Sequence, residues 1–275
     1  MTELMFYHMT EKEAGNNHVT ADDDRKRRLE KTVTNLQERY GLRAIDRSTR
    51  LAAPSSIPTG FPALDAALGV GGLPRGRVSE IVGAPTSGVA TVALKTVAGT
   101  QARNGAAVYI DLAHTFDPDY AYRCGVDLHR LMVVYPYNVQ QGIAMLPDFA
   151  AEGGFDLLVF DMPLTPTLGP ERQQQLSSVL GRLLAPLSKS GCALLFVTSL
   201  PPGSEPSLDG YPRHLALPHY ASLRLFVRRA RWLYKRQDVR GYEADVLVLK
   251  NRLGKAGGEV RIEITFNGTV KGDGV

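Results

Sequence analysis

The chain has 275 residues, of which 44% are hydrophobic and 22% charged, with a net charge of +4 and a pI near 9.0. This is the balance of an ordinary globular protein with one large core and room for a small appendage. No apolar run approaches the roughly 20 residues of a membrane span. The acidic N-terminal stretch "MTELMFYHMTEKEAGNN" lacks an apolar segment, so it is not expected to be a signal peptide. Cys124 and Cys192 form neither a metal spacing nor a disulfide framework, which fits a reducing cytoplasm. Cys192, opening an apolar strand, reads as core.

Residues 1–20 are polar and aperiodic and are expected to be a disordered tail. A helix follows, capped by Thr20, with Asp22 to Asp24 in its first turn where the helix dipole favours acids. Leu29, Val33, Leu36 and Tyr40 recur at helical spacing and give one narrow apolar stripe, a candidate oligomer contact. Residues 21–56 are thus expected to be a protomer-docking segment, set apart from a core domain over 57–275. From Val78 strands and helices alternate. "VSEIVG", "AAVYID", "LMVVYP", "DLLVFD" and "CALLFVTS" read as strands. Thr91 to Arg103, a segment capped by Asp117–Pro118, Val139 to Ala151 and Glu171 to Leu187 read as helices. Continuously apolar strands in this alternation predict an α/β fold with a mostly parallel central sheet flanked by helices. "LPPGSEPSLDGYPRHLALP" reads as a long loop. After it "YASLRLFVRRARWLYK" and "YEADVLVLKNRL" form a C-terminal antiparallel hairpin around "RQDVRG", and "EVRIEITF" is a last strand.

Two stretches carry chemistry. "GAPTSGVAT", after a strand and before a helix, has the glycine spacing of a phosphate-binding loop in Gly83 and Gly88. Such a loop ends in Lys, for the β/γ-phosphates, and Ser or Thr, for Mg²⁺. Here Val89 and Ala90 occupy those places, and Thr91 lies about 100° further round the helix. Backbone amides would still favour an anion. Asp161, closing "LLVFD", is a candidate Mg²⁺ carboxylate, while Ala113 stands where an NTPase of this architecture keeps the Glu that orients water. His114 beside it reads as structural. From Arg224 to Arg240 seven basic residues face one acid, Asp238, an electrostatic footprint for a polyanion.

In order along the chain, "IPTGFPALDAALGVGGLPRGRVSEIVG", "YIDLAHTFDPDYAYRCGVDL", "LLVFD", "HYASLRLFVRR" and "VLVLKNRLG" resemble the RecA recombinase family over roughly residues 25–270. The resemblance implies a RecA-like core and assigns nucleotide contacts to Gly83, Ser87, Gly88, Thr91 and Asp161. It places Asp117 and Tyr120 at adenine. It matches Lys250 and Arg252 to basic residues that reach a neighbouring protomer's γ-phosphate in the family's filament. It also implies ATP or ADP with Mg²⁺ as the ligand. Val89, Ala90 and Ala113 break the family's pattern at the Lys, the Thr and the catalytic Glu, and Ser199 replaces its γ-phosphate-sensing Gln.

The DNA loops that the resemblance implies are "MPLTPTLGPE" and the long Pro-rich loop with Arg213 and His214; Arg228, Arg229 and Arg231 are further DNA candidates. The leading expectation is a RecA-like DNA repair or recombination protein without efficient ATP hydrolysis. It would bind single-stranded DNA, itself, a RecA-type filament or a repair polymerase. Two alternatives stand beside it: a DNA-dependent ATPase using Lys250 and Arg252 in trans, and a pure protein-interaction module.

Overall fold

The structure, a computed structural model, describes residues 23–41, 55–162, 169–201, 216–266 and 271–272. The chain divides into two units, Met1–Ala52 and Ala53–Val275. In the first, residues 23–40 form helix α1, on which Leu29, Leu36 and Tyr40 are exposed and Val33 is half-buried. The predicted tail and the Thr20 cap lie outside the described residues.

The second unit is built on one sheet with strand order β11-β10-β9-β8-β3-β7-β6-β4-β5. Its centre consists of β3 (Val78–Gly83), β4 (Ala107–Asp111), β5 (Leu131–Val134), β6 (Leu157–Met162), β7 (Ala193–Ser199) and β8 (Leu223–Lys235), and all of these pairings are parallel. From β8 the sheet continues antiparallel through β9 (Asp238–Asn251), β10 (Glu259–Thr265) and β11 (Lys271–Gly272). A separate antiparallel pair joins β1 (Ser56–Ile57) to β2 (Leu73–Pro74). The expected α/β core with a C-terminal hairpin is therefore present.

Alternation along each strand sends side chains to opposite faces. On β6, Leu157 and Val159 join one apolar cluster while Leu158 and Phe160 join the other. Helices α2 (Pro62–Leu68), α3 (Val89–Ala102) and α4 (Pro118–Arg123) cover the first face. Helices α5 (Val139–Glu152), α6 (Pro170–Ser190) and α7 (Ala216–Tyr220) cover the second. Burial on both faces explains why the inner strands β6 and β7 read as nearly unbroken apolar runs. Among the described residues no helix is long and apolar enough to cross a membrane.

Three boundaries differ from expectation. Helix α3 starts at Val89, two residues before Thr91, because Gly88 with φ 110° serves as its N-cap. The end of the Pro-rich loop is helical over Ala216–Tyr220, where the Ala216 and Leu217 side chains are buried. The hairpin turn is only Arg236 and Gln237, since Lys235 pairs with Asp238. Arg236 carries φ 59°, the sign that tight hairpin turns require at the first central residue.

Candidate functional site

β3, β4, β6 and β7 end side by side, and the loops after parallel strands gather there, where α/β sheets place their ligands. A cavity of about 530 Å³ opens at these ends. Its floor is the β3–α3 loop. Gly83 lies so close to β8 that an added Cβ would sit 2.4 Å from the Val227 carbonyl oxygen, so no side chain fits there. The loop turns through Thr86 (φ 64°) and Gly88, whose missing Cβ leaves room for Ile264 and the Tyr242 hydroxyl. Ser87 is buried, and among the described residues its hydroxyl has no hydrogen-bond partner.

Val89 and Ala90, the first residues of α3, line the cavity together with Ala113, Met162, Val197 and Ser199. Thr91 Oγ1 and the Tyr120 hydroxyl are 2.5 Å apart, and the Tyr242 phenol also interacts with Thr91. Burial pushes both tyrosines above the usual phenol range, so these hydroxyls stay protonated and neutral. Asp117 caps α4, its carboxylate accepting from the Tyr120 amide at 3.0 Å, which fixes the tyrosine over the cavity. Lys95 packs against Gly60 and does not line the cavity.

Among the described residues Asp161 is the charged residue of the lining. It stands opposite Asp111 on the neighbouring strand, and its Oδ2 accepts a hydrogen bond from the Tyr109 hydroxyl at 2.5 Å. Burial raises its pKa, the Tyr109 hydrogen bond pulls it back, and the Asp111 charge raises it again, to about 6. Asp111 itself accepts from the Ala113 and Phe116 amides and so shapes the loop after β4. His114 is stacked on Tyr135, with ring centroids 5.5 Å apart.

Magnesium demands a near-octahedral set of oxygen ligands. Ala90 offers no oxygen, the Thr91 hydroxyl is engaged by tyrosines, and one Asp161 oxygen is taken by Tyr109. Among the described residues no group of three His, Cys, Asp or Glu is placed to hold a metal. Among the described residues the side chains do not by themselves make a magnesium site.

The cavity's far wall escaped sequence reasoning. Trp232, Tyr242 and Phe266 come from β8, β9 and the end of β10, and form a chain of tilted and edge contacts 5.6 and 5.8 Å apart. Only cross-strand register brings them to the loop, although a lone tryptophan on a strand so rich in arginine was a signal.

The basic hairpin is more neutral than its local composition. Arg224 meets Glu80 at 2.5 Å, and Arg228 meets Glu259 at 2.8 Å and Asp245 at 3.6 Å. Arg231 binds both Glu243 oxygens, at 2.8 and 2.7 Å. These acids lie on β3, β9 and β10, outside the stretch whose charges were counted. Lys250 and Arg252 donate to main-chain carbonyls at the end of α7, Lys250 to Pro218 at 2.7 Å and Arg252 to His219 at 3.1 Å. Arg213, His214 and most of the loop expected after Asp161 lie outside the described residues.

Comparisons with known proteins agree with this architecture. The family model for the RecA N-terminal domain matches residues 27–271. Protein RecA of Mycobacterium sp. (strain KMS) is 34% identical over 271 residues, covering 91% of this chain and 77% of that protein. Protein RecA of Brucella anthropi is 32% identical, covering 91% and 74%. Protein RecA of Staphylococcus carnosus is 31% identical, covering 92% and 76%. With the sheet order, the loop after β3 and these similarities together, the chain belongs to the RecA family.

Proposed function

We propose that this chain acts in DNA repair and recombination as a binding protein, holding single-stranded DNA and a neighbouring protomer while turning over little or no ATP. One observation carries the reading. The cavity at the β3–α3 loop keeps its walls, yet among the described residues no basic side chain lines it, and Ala113 offers no carboxylate to orient water. Phosphoryl transfer depends on charge and positioning at the γ-phosphate, so a site without those groups loses most of its rate.

The scaffold around the cavity supports retained nucleotide binding. Gly83, Gly88, Thr91, Asp117 and Tyr120 are held by close packing or hydrogen bonds that a vanished site would not need. Binding without efficient turnover would make the nucleotide a structural effector. The exposed Leu29, Leu36 and Tyr40 on α1 suit docking on another protomer. For DNA, the hairpin tip offers Lys235 and Arg236, and Arg213 and His214 are further candidates.

The test is steady-state ATP hydrolysis with and without single-stranded DNA, next to an oligonucleotide titration over a range of salt. We expect turnover far below that of an active recombinase, and DNA affinity that falls as salt rises. Recombinase-level turnover that disappears in Asp161→Ala would overturn the proposal.

A further inference from the structure

Arg229 stands apart from the other arginines on the hairpin's two strands. Arg224, Arg228, Arg231 and Arg240 each meet a carboxylate, at 2.5, 2.8, 2.7 and 3.4 Å. Among the described residues no carboxylate pairs with Arg229. Its Nη1 donates to the Thr86 hydroxyl at 3.2 Å, and its guanidinium carbon lies 4.3 Å from the centroid of the Trp232 ring. Thr86 and Trp232 both line the cavity.

The backbone makes this arrangement. Arg228 pairs in register with Asp245, Arg229 with Ala244, Arg231 with Glu243 and Trp232 with Tyr242. Ala230 is the extra residue of a β-bulge between Arg229 and Arg231. In an unbroken strand Arg229 and Arg231 would share a face. The bulge instead turns Arg231 to the face of Arg228, where Asp245 and Glu243 neutralise both. Arg229 and Trp232 are left together on the face of Tyr242, beside the loop.

We propose that Arg229 is the phosphate-recognising residue of this cavity, and that the cavity takes a mono- or diphosphate nucleotide without a metal. The inference rests on the nucleotide reading of the cavity given above. The planar guanidinium, stacked on an indole, presents a fork that matches phosphate oxygens bidentately. A ligand phosphate would replace only a neutral hydroxyl as its partner. Further phosphates would extend toward Val89, Ala113, Met162 and the Asp161 carboxylate, where among the described residues no lining cation compensates them. The aromatic groups of Tyr120, Tyr242 and Phe266 offer the base a stacking wall.

The experiment is calorimetric titration of the full-length protein with adenosine, AMP, ADP and ATP, each in magnesium and in EDTA. Trp232, the chain's single tryptophan, gives an independent fluorescence readout at the site. We expect AMP to bind at least about tenfold tighter than adenosine, and magnesium to change affinity less than about twofold. Arg229→Ala should bring AMP down to the level of adenosine while adenosine itself is unchanged, and Arg229→Lys should restore part of the gap.

Magnesium-dependent ATP binding that is unaffected by Arg229→Ala would overturn the assignment and leave nucleotide binding standing. Equal losses for adenosine and AMP in Arg229→Ala would also overturn it, by giving the residue a wall role. Absence of binding by every nucleoside and nucleotide would sink the cavity's nucleotide reading and this inference together.

Discussion

Glu80 on β3 and Arg224 on β8 are register partners whose side chains meet at 2.5 Å inside the sheet, both less than a tenth exposed. Glu80 also accepts a hydrogen bond from Thr198 on β7 at 3.3 Å, so one carboxylate ties three adjacent strands just before the loop that floors the cavity. Removing one member of such a buried pair leaves the other as an uncompensated charge. Arg224→Ala should therefore cost about 3–5 kcal/mol in urea unfolding, while Glu80→Gln/Arg224→Met together should cost much less. A single substitution within experimental error of the parent would show that the pair is not desolvated in solution.

The sheet and its helices were legible because local pattern dictates them. "VSEIVG" and "LLVFD" are mostly apolar and buried at every position, since both their faces are covered, and Asp117–Pro118 announces α4 through a side-chain cap that the structure shows at 3.0 Å. Two features set by distant contacts were not legible. The acids that neutralise Arg228 and Arg231 lie on neighbouring strands, so counting charge along one stretch overstated the basic patch. Helix α7 contains Pro218 and follows a Pro-rich loop; it is held by burial of Ala216 and Leu217 and by Lys250 and Arg252 on its last carbonyls, which composition does not reveal. At the candidate site, the turn between β3 and α3 could be read directly, whereas the wall of Trp232, Tyr242 and Phe266 depends on register.

Stability should carry the signature of Asp161. Its native pKa of about 6 lies above the ordinary aspartate value, so in the intervening range the folded protein holds a proton that the unfolded chain has lost. The contribution of this residue to stability then falls as pH rises from about 4 to about 6, by about 3 kcal/mol in all, and is flat above that range. Asp161→Asn, which cannot ionise, should lack this fall. Unfolding free energies measured across the range for both proteins give the difference, and parallel curves would show that the carboxylate is better solvated than its surroundings imply.

Both thiols should be silent in the native protein. Cys124 and Cys192 are fully buried, and burial pushes them up to about 11 and about 12. The thiolate is the reactive form, so reaction with a disulfide reagent at about pH 8 should be at least about a hundredfold slower than for an exposed cysteine. Full reaction should appear only in denaturant. Rapid labelling of either residue under native conditions would reveal local opening, of α4 for Cys124 or of the start of β7 for Cys192.

Restoring the loop's missing groups tests whether its backbone is still a phosphate cradle. Val89 packs in the core cluster but also touches the cavity, so a lysine there can lay its stem along the same apolar wall and put its ammonium in the open space. Ala90 faces the cavity and is exposed, leaving room for a threonine hydroxyl. Val89→Lys/Ala90→Thr should cost about 1–3 kcal/mol of stability through repacking. In return, ATP affinity should rise at least about tenfold and become magnesium-dependent, because charge and a metal-binding oxygen now stand at the start of α3, beside the loop. Hydrolysis should stay low, since Ala113 still cannot orient water, and should rise only when Ala113→Glu is added. Calorimetry with ATP and a coupled hydrolysis assay separate the two steps. If affinity does not change in the double variant, the loop between Gly83 and Gly88 has lost the shape as well as the charge that phosphate binding requires.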